Sequence, residues 1–171
     1  MQKLWCTGFK GFQEIVKANN WSNNVPESIA IISINSRIPT DGESHLCSGD
    51  NVLNLEFDDI DPASVGLSDD TEEYTFTNDG YLKVYFFTNT MAKQAIDFIE
   101  KHKEKNFFIH CSAGMSRSQA FVKYIKNVYF DIDWETNPGN PCIHANGFVF
   151  QKLMHAYRCR EENFDLFDRI S

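Results

Sequence analysis

A chain of 171 residues, of which 42% are hydrophobic and 14% aromatic, can bury a substantial core and most simply does so as one domain. Its 24 acidic residues against 16 Lys and Arg leave a formal net charge of -8, which excludes a basic face for tracking a nucleic-acid backbone. An anionic ligand would have to be held by a local site against the overall field.

The first residues, MQKLWCTGFKGFQEIVK, lack the continuous apolar core of a signal peptide, and no later stretch reads as a membrane span. They predict a short strand around Leu4 to Cys6, then a helix through Phe12, Ile15 and Val16. Ser28 to Ser36, SIAIISINS, is a β-branched apolar run bounded by Pro26 and by Pro39 with Gly42, the pattern of a strand buried on both faces. Asn51 to Phe57 places Leu53, Leu55 and Phe57 on one face of a further strand. The acidic stretch that follows has no helical period. Within it Tyr74 and Phe76 alternate, Asn78 to Gly80 signals a turn, and Leu82, Val84 and Phe86 alternate again, which predicts a hairpin.

From Thr88 the apolar residues Ala92, Ala95, Ile96 and Ile99 follow one helix face, and Asn106 to His110 returns to strand. Ala120, Phe121, Tyr124, Ile125 and Val128 are again helical in spacing. A loop rich in Pro, Gly and Asn, Asn137 to Pro141, leads to a last helix through Phe150, Leu153, Met154 and Tyr157. Strands alternating with helices predict an α/β fold: a single domain over residues 1–171, its largely parallel central sheet flanked by helices, with an acidic hairpin-like insertion at about 60–86.

The chemistry concentrates at FIHCSAGMSRS, Phe108 to Ser118, where an apolar strand ends on a cysteine and a helix begins at an arginine. Ligands of open α/β sheets bind at such junctions, because the first helical amides are unpaired and the helix dipole favours an anion. Ser112, Ala113, Gly114, Met115 and Ser116 form the connecting loop, and its small residues let successive N–H groups turn inward as a nest for a tetrahedral oxyanion. Arg117 adds a planar charged fork that can hold two oxygens of a phosphate. The same field favours a thiolate at Cys111, making it a nucleophile. Ser118 can donate a hydrogen bond to the sulfur and ease its departure from a covalent intermediate.

Cysteine, five residues, then Arg-Ser, set between strand and helix and preceded by His110, resembles the signature of the protein tyrosine phosphatase superfamily. The resemblance covers roughly Ile29 to Ile125, and FDDI followed by FTNTMAKQAIDFIEKH looks most like the compact dual-specificity and microbial tyrosine phosphatases. Low-molecular-weight phosphatases and arsenate reductases carry the motif near the N-terminus, unlike this chain. The resemblance implies two-step hydrolysis without a cofactor: Cys111 attacks phosphorus, Arg117 and the loop amides hold the equatorial oxygens, and water clears a phosphocysteine. It also implies an aspartate that protonates the leaving group, on the loop after the strand NVLNLEF, where Asp58, Asp59 and Asp61 are candidates. If Leu55 and Phe57 match the inward pair that precedes the family's acid, the role falls to Asp59, with Asp58 as rival. The acidic insertion lengthens the path from Asp59 to Cys111 relative to the family pattern. His110 is expected to support the loop through hydrogen bonding.

The substrate expected is a phosphorylated protein or peptide carrying phosphotyrosine, with phosphoserine and phosphothreonine open, because the loop has no lysine of the kind phosphoinositide-specific relatives use. Two other readings stay open: a phosphate-recognising module without turnover, and a phosphatase for a non-protein phosphate ester. Five cysteines, Cys6, Cys47, Cys111, Cys142 and Cys159, show no framework spacing and suit a reducing compartment, so a cytoplasmic monomer with no nucleic-acid or membrane partner is expected. His155 and Cys159 are one helical turn apart, but Cys142 and His144 do not have a usual zinc-ligand spacing, and no metal is expected.

Overall fold

Period-two alternation along the strands decides which helices each face of the sheet meets. A computed structural model describes residues 1–37, 44–77, 82–136 and 144–168. The turn signals at Pro39 with Gly42 and at 78–80, the loop 137–141, and Cys142 lie outside the described residues. In chain order the elements are β1 (Gln2–Gly8), α1 (Phe9–Asn19), β2 (Ile29–Asn35), β3 (Val52–Glu56), β4 (Glu73–Phe76), β5 (Leu82–Tyr85), α2 (Asn89–Lys101), β6 (Asn106–Cys111), α3 (Arg117–Val128), β7 (Trp134–Thr136) and α4 (Gly147–Asp168). β3, β2, β6, β1 and β7 lie side by side in that order, and every pair is parallel.

Leu4 and Cys6 of β1, Ala30, Ile32 and Ile34 of β2, and Phe107, Ile109 and Cys111 of β6 share one face of the sheet. They pack against Ala92, Ala95, Ile96 and Ile99 of α2, Phe121 and Ile125 of α3, and Leu153 of α4. The intervening residues Trp5, Ile31 and Phe108 point the other way, onto Phe12 and Val16 of α1, with Trp21 and Cys47. Helices therefore cover both faces, as continuous apolar strands require. Thr88 caps α2, its Oγ1 accepting the Met91 N–H at 3.1 Å. β4 and β5 form a separate antiparallel pair, with Glu73 opposite Tyr85 and Phe76 opposite Leu82.

The expected strands and helices are present, with three differences. The acidic stretch holds a short 3-10 helix at Pro62–Val65, capped by Asp61 through the Ala63 N–H at 2.9 Å; four residues leave no periodicity to read. β7 has three residues and one large apolar side chain, too few for a strand signal. In the hairpin, Val84 and Phe86 are buried, but Leu82 and Tyr74 are 59% and 40% exposed, so the alternation extends beyond the buried face. Among the described residues no helix is long and apolar enough to cross a membrane.

Phe57, Phe87 and Phe121 run through the core beneath the loop that follows β3, with ring centroids 4.7 and 5.9 Å apart. Phe121 is fully buried. Truncating it removes a large packed surface that neighbours refill only in part, so Phe121→Ala should cost about 3–5 kcal/mol of stability by urea denaturation, with the slope of the transition unchanged.

Candidate active site

The loop from Cys111 to Arg117 takes its shape from close packing on the corner between β1 and α1. Gly8 is in register with Cys111, and the Phe9 N–H donates to the Ser112 carbonyl at 3.0 Å. Gly114 adopts φ +73, and a Cβ there would stand 2.5 Å from both Gly8 N and the Thr7 carbonyl carbon. Backbone cannot yield to such an atom, so glycine is required on both counts. Ala113 and Met115 are exposed at the loop's outer edge.

Cys111 is buried at the end of β6. Its Sγ accepts the Gly114 N–H at 3.3 Å and lies 3.1 Å from Ser118 Oγ. On the far side of Ser118, Cys6 donates its thiol to the same hydroxyl at 3.1 Å. The Cys6 thiol also lies 3.4 Å from the Gly114 carbonyl, and where its proton goes to Ser118, the Ser118 hydroxyl proton is available for Cys111. Ser116 precedes α3 without a side-chain cap to its amides, its hydroxyl being committed to Asp59 instead.

Arg117 is 4% exposed. Nη1 donates to the Phe57 carbonyl at 2.7 Å and reaches Ser36 Oγ at 3.4 Å, while Nη2 donates to Ser112 Oγ at 2.7 Å. Nε is buried and makes no hydrogen bond. Among the described residues no carboxylate comes within ion-pair distance of the guanidinium. A buried permanent charge of this kind is costly unless something of opposite sign joins it.

The three candidate acids fall in different places. Asp58 is clasped by Tyr85, whose N–H donates to its Oδ2 at 2.8 Å while the Asp58 N–H donates to the Tyr85 carbonyl at 2.7 Å. Asp59 is exposed, and its Oδ1 accepts from Ser116 Oγ and from Asn146 Nδ2, each at 2.8 Å. Asp61 is held as the cap of the 3-10 helix. A cavity of about 450 Å³ adjoins the loop, lined by Asp59, Asp61, Asp69, Ser116, Asn146 and Phe148 among others.

His110 lies behind the loop, stacked on Phe12 with centroids 4.1 Å apart. Its Nε2 hydrogen-bonds Ser33 Oγ at 2.8 Å, and Ser33 Oγ in turn meets His45 Nδ1 at 2.9 Å. Burial pushes the His110 imidazole down to about 3, and the nearby His45 and Arg117 act in the same direction. His155 and Cys159 do lie side by side on α4, Sγ to Nε2 3.7 Å, and among the described residues no group of three or more metal-ligating side chains forms.

Sequence reasoning did not single out Asn146, Ser36 or Cys6 for this site. Asn146 carried a legible signal as an asparagine just before a helical run, the position of an N-cap. That its amide would reach Asp59 was not encoded locally, and neither were the contacts of Ser36 and Cys6.

No protein-family model matches the chain, and no curated protein matches it. Among solved structures it is similar to a human tyrosine phosphatase-like serine/threonine/tyrosine-interacting protein at 15% identity and a TM-score of 0.42, over 90% of this chain and 87% of that one. At that level of similarity the reading of the site rests on its own geometry.

The sign of the His110 effect is definite. The unfolded imidazole binds a proton below about 6.5, whereas the folded one stays neutral down to about 3. Stability is therefore full above pH 6.5 and is lost as pH falls through that window, by about 2 kcal/mol between pH 7 and pH 5 from this group. His45 and His102, also lowered chiefly by burial, add to the same slope. Urea midpoints across this range should fall less steeply for His110→Gln than for the wild-type protein.

Proposed function

We propose that the protein is a cysteine-dependent phosphatase that hydrolyses phosphotyrosine in phosphorylated proteins or peptides through a phosphocysteine intermediate. The observation that carries this reading is Arg117: a buried guanidinium with an unbonded Nε and no carboxylate partner among the described residues, at an uncapped helix start that ends the loop opened by Cys111. A phosphate dianion satisfies all of these at once. In the first step the Cys111 sulfur forms a bond to phosphorus, the bond from phosphorus to the phenolic oxygen breaks, and Asp59 gives that oxygen its proton. In the second, water attacks phosphorus, the P–S bond breaks, and the Asp59 carboxylate takes the water's proton. No cofactor takes part.

Asp59 is preferred over Asp58 because it alone of the two reaches the loop, through Ser116. Acidic side chains at Asp61 and Asp69 line the adjoining cavity, and they disfavour highly anionic substrates such as polyphosphorylated lipids while tolerating a single phosphoryl group on a peptide.

Cys111→Ser should abolish turnover of phosphotyrosyl peptide yet bind vanadate or phosphate within a few-fold of wild type; retained turnover refutes the nucleophile. Arg117→Lys, which keeps the charge and loses the fork, should lose at least about 100-fold in kcat/KM. Binding of phosphopeptide by the wild-type protein without hydrolysis would select the non-catalytic reading. Hydrolysis confined to non-protein esters would select a different substrate class.

The two carboxylates separate by leaving group. Asp59→Asn should slow phosphotyrosine hydrolysis by about 100-fold or more, slow 4-nitrophenyl phosphate much less, and flatten the basic limb of the pH–rate profile. Asp58→Asn keeps an acceptor for the Tyr85 N–H and should have only a mild effect. The reverse pattern would assign the acid to Asp58.

A further inference from the structure

Asn146 commits its side chain in two directions and its backbone in a third. Its Oδ1 accepts the Val149 N–H at 3.0 Å in the first turn of α4. That bond settles the orientation of the carboxamide, because only its oxygen can accept. Nδ2 therefore faces Asp59 and donates to Oδ1 at 2.8 Å. The Asn146 N–H donates to the Ser116 carbonyl at 3.2 Å, while Ser116 Oγ donates to the same Asp59 Oδ1 at 2.8 Å. The loop after β3, the loop after β6 and the start of α4 thus converge on one carboxylate oxygen.

An oxygen that accepts two hydrogen bonds is the poorer place for a carboxylic proton, since its lone pairs are engaged. Among the described residues Asp59 Oδ2 receives none. We propose that Asn146 is a positioning residue for the general acid: together with Ser116 it holds Asp59 in one rotamer and keeps the transferable proton on Oδ2. The inference rests on the phosphatase reading and on Asp59 as its acid. In the first step the Oδ2–H bond breaks as the leaving phenolic oxygen gains the proton. With the Ser116 bond alone, the carboxyl can turn about its Cβ–Cγ bond and exchange its two oxygens. The fraction of encounters with a proton correctly placed then falls.

The test uses Asn146→Ser in the full chain, a change that retains a side-chain oxygen to cap α4 but loses the amide donor. With a phosphotyrosyl peptide kcat should fall about tenfold while KM stays within about twofold; with 4-nitrophenyl phosphate, whose leaving group needs little help, kcat should fall less than about threefold. In an Asp59→Asn background, Asn146→Ser should bring no further loss, because the group it serves is already gone. If the thermal midpoint of Asn146→Ser shifts, Asn146→Thr, which also keeps a capping oxygen without an amide donor, carries the same comparison and should show the same leaving-group dependence. Equal losses on both esters, an additive loss in the Asp59→Asn background, or full activity on the peptide overturns the positioning role and leaves the phosphatase reading standing. An Asp59→Asn variant without leaving-group dependence overturns the acid assignment and this role with it. A wild-type protein that hydrolyses neither ester overturns the phosphatase reading itself.

Discussion

The Arg117 guanidinium, shut inside the protein with no carboxylate beside it among the described residues, is the charge around which the site is arranged. Desolvating such a group costs several kcal/mol, and neutral acceptors recover only part of that. The Phe57 carbonyl and the Ser112 hydroxyl hold two arms of the fork in place. They orient it without discharging it, so the fork keeps its full attraction for an anion. The carbonyl comes from the end of β3 and the hydroxyl from the loop after β6, two segments that the sheet brings to the same edge. Parallel order matters here: all five strands end on that edge, and the guanidinium's hydrogen-bond partners among the described residues, Ser36, Phe57 and Ser112, each lie in the loop just after a strand.

The same contact fixes where Asp59 sits. Phe57 is inward and fully buried, and its carbonyl is the Arg117 acceptor, so the residues after it leave the sheet from a fixed point. Asp58 is then taken by Tyr85 at the end of β5, and the Phe86 N–H donates to the Glu72 carbonyl. The antiparallel pair between β3 and α2 therefore braces the loop that carries Asp59. Its acidic sequence suggested extra distance between Asp59 and Cys111. In the fold it removes Asp58 from the site and leaves Asp59 to meet Ser116.

Periodicity made the parallel sheet and its helices legible, because residues such as Ile32, Phe107 and Ile109 face a dry interior and can be little else. The run from Cys111 to Ser118 was legible because its parts are local: strand, small residues, arginine and helix lie within eleven residues of Phe108 to Ser118. Contacts formed by folding were not. Cys6 reaches Ser118 across 112 positions and Asn146 reaches Asp59 across 87, and no local pattern announces either. The 3-10 helix at Pro62–Val65 and the three residues of β7 escaped for a different reason, being shorter than the periods that would reveal them.

Charge at two ranges then shapes what can approach. Over distances beyond about 8–10 Å the net charge of -8 is largely screened at physiological ionic strength. Asp59, Asp61 and Asp69 line the cavity that adjoins the loop, so under the proposed reading a phosphate held by Arg117 and the first amides of α3 would have these carboxylates close by. A ligand with several phosphates would place its extra charge among those carboxylates, whereas a ligand with one phosphate on a neutral or basic chain would place only the reacting group in the loop. Under the proposed reading the arrangement would discriminate by where charge sits on the ligand more than by how much the loop attracts. Since Asp59 belongs to that acidic rim and to the proposed proton transfer at once, a chain that lays basic side chains along the rim would also lie against the acid.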